Sequence, residues 1–319
     1  MWQQDGVLVR VPASTANLGP GFDTLGMALH LHLWIAMKPA ETTVIRLHGS
    51  ELAGIPTDES NLIYRIAHSV FRAAGVEGRP LEMDVYSEIP LTRGLGSSAS
   101  AIIGGLYAAN ALIGHPLSQE QLFNMATLIE RHPDNVGASL FGGIIAAAWD
   151  GEQTEHIRIE PHGDLSTVVA IPQFQLETKM ARNVLPAHVS LADAVFNISR
   201  SSLLVAALCS GQLHVIATAM RDRLHQPYRA SLIPGMPRIL DEAPGHGALG
   251  VALSGAGPTL LAFTDKRRSN ASLVSYMKET FLAHGVEATV MEIEISREGA
   301  VCCGTWDGIS SVLAARINL

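Results

Sequence analysis

The chain has 319 residues, 47% hydrophobic and 16% charged, with a formal net charge of −8. That length suits two domains or one large α/β domain, and the composition supports a sizeable buried core and excludes global disorder. The acidic balance argues against nucleic acid as a partner, so an anionic ligand must meet positive charge that is concentrated locally, which glycine amides and helix N-termini supply without Lys or Arg.

Residues 1–11 hold acidic Asp5 and no apolar run, so no signal peptide is expected. No stretch reaches about 18 apolar residues, so no membrane-crossing helix is expected. The three cysteines, Cys209, Cys302 and Cys303, include an adjacent pair and no C-x-x-C spacing. They read as buried or incidental thiols in a reducing, cytoplasmic setting rather than as a disulfide framework or a zinc site.

Val7, Val9 and Val11 alternate as in a short strand. The segment 12–26 is rich in Gly, Pro, Asn, Ser and Thr and reads as a structured loop. A buried strand is expected over 30–37. A helix is expected over 61–74, with Ser60 as its N-cap and Gly75 as its stop. A strand through Leu81, Met83 and Val85 runs into Pro90. Beyond a glycine loop, Ala99, Ile102, Ile103, Leu106 and Ala109 recur at helical spacing. A helix over 119–130 and an apolar strand over 142–149 complete a first domain, 1–155. The second domain, 156–319, is expected to hold strands at 167–171, 247–253, 259–264 and 286–295, and helices at 192–208, 212–224 and 271–284. Strands and helices mix without regular βαβ alternation, which argues for an α+β fold of two layered domains.

The stretch Pro90-Leu91-Thr92-Arg93-Gly94-Leu95-Gly96-Ser97-Ser98-Ala99-Ser100 has the form of an anion site. Glycines allow positive φ and close approach of the backbone, the first free amides of the following helix point at the anion, and Ser97, Ser98 and Ser100 supply hydroxyls for phosphate or magnesium. A Walker loop is excluded because no Lys follows Gly96. The run also fits G-x-G-x-x-[GA], but serial βαβ units and a following acid are missing. A nucleophile elbow needs G-x-S-x-G, which is absent. The plain alternative is a glycine-rich turn with no ligand.

Three stretches together, Pro12–Asp23, Pro90–Ser100 and Leu253–Thr259, resemble in order and spacing the signature motifs of the GHMP kinases. The Ser14–Asp23 run looks most like the branch that acts on L-homoserine. The resemblance implies a ribosomal protein S5 domain 2-like N-terminal domain and a ferredoxin-like C-terminal domain, with ATP between them. It implies phosphorylation of L-homoserine to O-phospho-L-homoserine in threonine biosynthesis, with ATP as co-substrate and Mg²⁺. Relatives often pair, so a homodimer stays open.

Residue by residue, the resemblance assigns Ser98 and Glu130 to magnesium and His132 and Asp134 to the border of the substrate. It assigns Thr178, Arg182 and Arg229 to substrate segments, and Asn61 to the neighbourhood of the adenine. The loop Pro90–Ser100, with Ser254, Gly255 and Gly257, would hold the phosphates. The chemistry agrees with a small zwitterion: Asn17, Asp23 and Asp134 offer acceptors to an ammonium, and Arg182 and Arg229 offer planar donors to a carboxylate. Asn135 stands where mevalonate and galactokinase relatives carry an Asp base, and an amide takes no proton, so no strong side-chain base is expected. Arg131 stands where Gly is usual, and Gly137-Ala138-Ser139 replaces Ala-Pro-Ala, which bears on loop geometry.

Each of these residues also has a plain structural reading. Asp23 caps a turn, Glu130 is a solvated helix-end acid, Arg182 and Arg229 are surface ion-pair partners, His132 is a packing residue, and Thr178 is a strand-end hydroxyl. Rival functions are a family member acting on mevalonate or a sugar, a non-catalytic sensor with the kinase fold, and a dinucleotide oxidoreductase. Mevalonate lacks an ammonium to meet two acids, and a sensor would tend to lose Ser98 and Glu130.

Overall fold

A computed structural model describes residues 2–316. The first part of the chain runs β1 (Val7–Ala16), β2 (Leu25–Pro39), β3 (Val44–His48), α1 (Leu62–Ala73), β4 (Leu81–Ser87), α2 (Ser97–Leu112), α3 (Gln119–Glu130), α4 (Asp134–Phe141), β5 (Ile144–Trp149) and β6 (Thr154–Ile159). The rest runs β7 (Leu165–Pro172), α5 (Thr178–Asn183), α6 (Leu191–Ser210), α7 (Ile216–Ala219), α8 (Gln226–Arg229), α9 (Met236–Glu242), β8 (Gly250–Leu253), β9 (Leu260–Asp265), α10 (Ala271–Ala283), β10 (Ala288–Glu292), β11 (Val301–Gly304) and α11 (Gly308–Arg316).

The strands form two sheets, as an α+β fold requires. Seven strands follow the order β11-β1-β2-β4-β3, with β5 paired to β2 and to β6, and four follow β10-β7-β9-β8. The long β2 serves two partners: Leu33–Pro39 pairs with β4 and Leu25–Met27 with β5. The expected division at residue 155 falls inside β6, which belongs to the first sheet, and β11 returns to pair with β1. The largest core follows suit. Val9, Ile35, Ile103 and Leu106 share it with Val169, Leu204, Leu261 and Phe263 from the second part. Each large aliphatic buried there contributes about 1.5–3 kcal/mol relative to exposure.

Several expected elements stand with shifted ends. The strand from Val7 continues to Ala16, so the loop begins at Asn17 rather than Pro12. Pro12 sits at the register shift of the β1–β2 ladder, where a missing N–H breaks no regular pairing. Helix α1 is capped by Asn61, whose side chain accepts from the Ile63 amide, and not by Ser60, whose hydroxyl meets Asp58. Helix α3 spans 119–130 as expected, and Ser118 and Gln121 close a full capping box at its start. The helix expected over 212–224 shortens to α7, which ends at Ala219, and beyond it Asp222 takes the amides of Leu224, His225 and Gln226 at the entry to α8. The three cysteines are free and exposed, not buried.

Helix α6 is long and apolar enough to cross a membrane by length and composition alone, at mean hydropathy 1.3, against the expectation of no such helix. Its polar residues tie it to the domain: Asn197 donates to the Pro20 carbonyl and to Asp222, and Asp193 pairs with Arg223.

The sheet reaches the functional residues through one close approach. A Cβ on Gly26 of β2 would collide with the backbone carbonyl of Asp134, the first residue of α4. Gly26 thus seats the start of α4 directly on the sheet. Gly26→Ala is expected to lower stability by about 1–3 kcal/mol, as overpacking does, and to displace Asp134. Urea unfolding of the variant beside the parent checks it.

Candidate active site

The glycine loop enters α2 through two left-handed residues, Gly94 at φ 77° and Gly96 at φ 70°, the latter being the N-cap. Neither has room for a side chain. A Cβ at Gly94 would meet the carbonyls of Ser254 and Gly257, and one at Gly96 would meet Ser14 Oγ. The first turn of α2 therefore presents free amides, with Ser97 and Ser98, to a cleft holding about 690 Å³ of open space. The same cleft is lined by Asn17, Asp23, Glu130, His132, Asp134, Asn135, Thr178, Arg182, Arg229, Gly255 and Gly257.

One wall is acidic. Ser98 Oγ lies 3.1 Å from Glu130 Oε2. Glu130 closes α3, where Arg131 takes the left-handed C-cap at φ 70° that glycine usually fills. His132 Nδ1 lies 2.6 Å from Asp134 Oδ1, and its Nε2 lies 4.0 Å from Glu130. Asp134 also accepts the Asn135 amide at 2.7 Å. Burial pushes the Glu130 carboxyl above its usual range, against the charge of His132 and the Ser98 hydroxyl. Burial works against a charged His132, but the Asp134 carboxylate, with Asp23 and Glu130, overrides it and raises the imidazole to about 9. Ligand atoms of Asp23, His132 and Asp134 gather within 4.8 Å of one another.

The opposite wall is basic. Arg182 grips Asp23 with two bonds, at 2.7 and 3.0 Å. Arg229 is only 2% exposed, yet no carboxylate bonds it among the described residues: its Nε donates to the Ala181 carbonyl and its Nη1 to the Gly255 carbonyl. Nη1 also reaches His225 Nδ1 at 3.2 Å, while His225 Nε2 lies 2.7 Å from the Gly19 carbonyl, which fixes a neutral imidazole protonated on Nε2. Burial lowers that His225, as it must for a fully enclosed ring. Burial and the neighbouring Arg182 lower Arg229 to about 10, still a cation at neutral pH. Phe22 separates the two guanidiniums, with their carbons 5.5 and 5.4 Å from its ring centroid.

A second, apolar cavity adjoins the first across Thr92, Ser97 and Ser98. Leu33, Leu47, Leu52, Ile63, Val85 and Ile89 line it, with Asn61 at its edge. Asn61 faces it as a helix cap, its amide already bonded to the Pro56 carbonyl.

Two family models match the chain: the GHMP kinases N terminal domain over residues 61–143 and the GHMP kinases C terminal over 204–283. A homoserine kinase of Moorella thermoacetica is 47% identical over 92% of this chain and 99% of its own length. That of Deinococcus radiodurans is 44% identical over 92% and 95%. The crystal structure of a homoserine kinase from Cytophaga hutchinsonii superposes with a TM-score of 0.84 at 27% identity, covering 94% of this chain and 98% of that one. The chain belongs to the GHMP kinases, in their homoserine kinase branch.

In this GHMP kinase the structure gathers most of the residues singled out from sequence into one cleft. Some of them spend their side chains elsewhere. Ser100 bonds the Pro12 carbonyl, Ser254 lies against Thr15 and the Gly94 carbonyl, and Leu95 and Ala99 are core residues. Arg93 buries Nη1 with no partner and does not line the cleft. Asn17 lines the cleft, but its amide donates to the Gly255 carbonyl and its oxygen accepts the Asp23 amide. The plain structural readings fare unevenly. Arg229 is no surface residue, Glu130 is not freely solvated at 17% side-chain exposure, and Thr178 opens helix α5 instead of ending a strand. Sequence reasoning missed His225, Asp222 and Gln226, which hold the segment bearing Arg229 through bonds to Gly19, to local amides and to Leu253. The partners of His225 and Gln226 lie far along the chain, so no local pattern marks those two.

His132 sets a pH response. Its folded value exceeds the ordinary imidazole value of 6.5, so the stability it contributes is complete below about 6.5 and is lost as pH rises through about 9. In metal-free buffer, thermal unfolding is expected to weaken over that window by on the order of 1–3 kcal/mol. His132→Gln should flatten the slope, and an unchanged slope would refute the assignment.

Proposed function

We propose that the chain transfers the γ-phosphoryl group of ATP to the hydroxyl of L-homoserine, giving O-phospho-L-homoserine and ADP in threonine biosynthesis. The observation that carries this reading is Arg229: a buried guanidinium held only by neutral acceptors, facing a cleft that also holds Asp23 and Asp134. A buried cation that bonds no carboxylate among the described residues, with Asp23, Asp222 and Asp134 acting on it only at a distance, suits an anionic ligand group. An α-amino acid supplies that carboxylate on the same carbon as an ammonium, which the two acids accept. Mevalonate and sugars offer no such pairing of charges.

ATP fits with adenine in the apolar cavity and its phosphates over the first turn of α2, since the two cavities meet at Thr92, Ser97 and Ser98. Ser98 and Glu130 are the residues that would hold magnesium. A hydroxyl and a carboxylate 3.1 Å apart at the phosphate loop suit an ion that takes few protein oxygens and fills its shell with phosphate and water. The ion supplies charge neutralisation on the phosphates. The trio Asp23, His132 and Asp134 suits it less, because His132, raised to about 9, is protonated at neutral pH and has no lone pair to offer a metal.

In the reaction, the homoserine oxygen forms its bond to the γ-phosphorus as the bridge to ADP breaks. The chain's part is positioning and charge stabilisation, from the loop amides and the turn at Gly255–Gly257. Asn135 takes no proton, so the hydroxyl proton leaves to a phosphate oxygen or to water.

Coupled ADP release with L-homoserine, mevalonate and galactose as acceptors tests the proposal. Homoserine is expected to be preferred, and faster turnover of mevalonate would overturn it. Glu130→Gln should lose kcat by at least a hundredfold, and Arg229→Ala should raise the homoserine KM by about a hundredfold while leaving the KM for ATP nearly unchanged. Removing magnesium with EDTA should abolish turnover.

A further inference from the structure

Behind Asn135 lies a short chain of hydroxyls. Ser139 Oγ donates to Ser14 Oγ at 3.1 Å, and Ser14 Oγ donates to Asn135 Oδ1 at 3.0 Å. Ser14 and Ser139 are both fully buried, so water does not compete for their bonds. Each comes from a different element: Ser14 from β1, Ser139 from α4, one turn beyond Asn135. Ser139 is also one of the positions where this chain departs from the usual Ala of its family.

The direction of the chain matters. A serine hydroxyl has one hydrogen and two lone pairs. Ser14 gives its hydrogen to Asn135 and takes that of Ser139. If the Asn135 amide turned over, its NH₂ would face Ser14 Oγ, which would have to turn its own hydrogen to Ser139 Oγ, leaving the Ser139 hydrogen without an acceptor among the described residues in a dry site. An unmade buried bond of that kind disfavours the flipped state by roughly tenfold or more. The Asn135 Nδ2 has no hydrogen-bond partner among the described residues, and the residue lines the cleft beside Gly96, Ser97 and Ser98.

We propose that Ser14 and Ser139 are positioning residues that lock the Asn135 amide with Nδ2 toward the cleft, where it donates a hydrogen bond to the phosphoryl group in transfer. This rests on the phosphoryl-transfer reading above. Charge on the γ-phosphoryl oxygens is stabilised by donors fixed before the reaction, and an amide held at its carbonyl end is such a donor. It gives Asn135 a role that needs no proton transfer. Ser14 has a second contact, under Gly96 at the head of α2, through which a change at residue 14 would instead disturb ATP binding.

A double-mutant cycle separates the two routes. In the full chain, with saturating ATP and L-homoserine, Ser14→Ala is expected to lower kcat about tenfold and Ser139→Ala about threefold, with both KM values within about twofold of the parent. Asn135→Ala is expected to lower kcat by less than about a thousandfold. In the Asn135→Ala background, Ser14→Ala and Ser139→Ala should have no further effect on kcat, because the amide they orient is gone. Equal losses in both backgrounds, or a rise confined to the ATP KM, would overturn the proposal. If Ser14→Ala does not fold, the Ser139→Ala cycle decides by the same criteria. Should the parent fail to turn over homoserine, it is the proposed substrate that fails, and selective ¹⁵N labelling of asparagine still reads the relay. The Asn135 NH₂ protons should exchange freely with solvent and shift on adding ATP, whereas protected, unmoved protons would refute it.

Discussion

The site depends on the carbonyl of Gly255. Two side chains from distant parts of the chain converge on it, the Asn17 amide and the Arg229 guanidinium, while the Gly255 N–H donates to the Ala16 carbonyl. One residue thus joins the end of β1, the turn after β8 and the helix that carries the buried cation. Neighbouring bonds extend the seam: Thr259 N to the Arg93 carbonyl, Leu176 N to the Thr92 carbonyl, and Ser254 Oγ against the Gly94 carbonyl. Three turns held this tightly cannot carry side chains where they touch, which is why Gly94 and Gly96 sit there with left-handed backbones. The phosphate loop is therefore shaped as much by its neighbours as by its own sequence.

That seam also arranges charge. The chain is acidic overall, yet its cleft holds a guanidinium, Arg229, whose hydrogen bonds among the described residues all go to neutral acceptors. Arg182 is different, because its charge is already matched by Asp23 in a two-point contact. The two arginines are not equivalent donors: Arg229 has charge to offer a carboxylate, whereas Arg182 holds Asp23 in place. Phe22 keeps the two apart and lends its ring face to each, a weaker but desolvated attraction. A zwitterionic head group lying along this row would meet a cation at one end and acids at the other.

Much of this was legible in sequence because the relevant physics is local. The cap and period of α3, the glycine loop before α2, and the three turn motifs are written in consecutive residues. Side-chain-to-backbone competition and long-range pairing were not. Nothing in segment 212–224 reveals that Asp222 will turn its carboxylate onto the amides just after it. The continuation of β1 through Pro12 depends on a register shift against β2. Single-residue chemistry also misled where one side chain had two uses. Ser100 and Ser254 have the hydroxyls a phosphate site wants, but the fold takes both for its own bonds. Asn17 is similar, lining the cleft with both ends of its amide occupied.

The departures from the family pattern around α4 make sense as one set. A Cβ at Gly137 would lie 3.1 Å from Ile145 and from the Phe123 ring, so the alanine usual there would press on two core side chains of this chain. With Gly at 137, α4 lies close to β5 and α3. Two residues on, Ser139 is then fully enclosed and within reach of Ser14. A hydroxyl there needs a partner, and Ser14 provides it. Arg131, left-handed at the end of α3, bears the strain of the preceding turn while its side chain stays outside. Tighter packing behind the helix and an added hydroxyl beside the strand thus act on the same residue, Asn135, from two directions. On the phosphoryl-transfer reading, the orientation of that amide matters on this wall of the cleft, and the buried hydroxyls of Ser14 and Ser139 hold it.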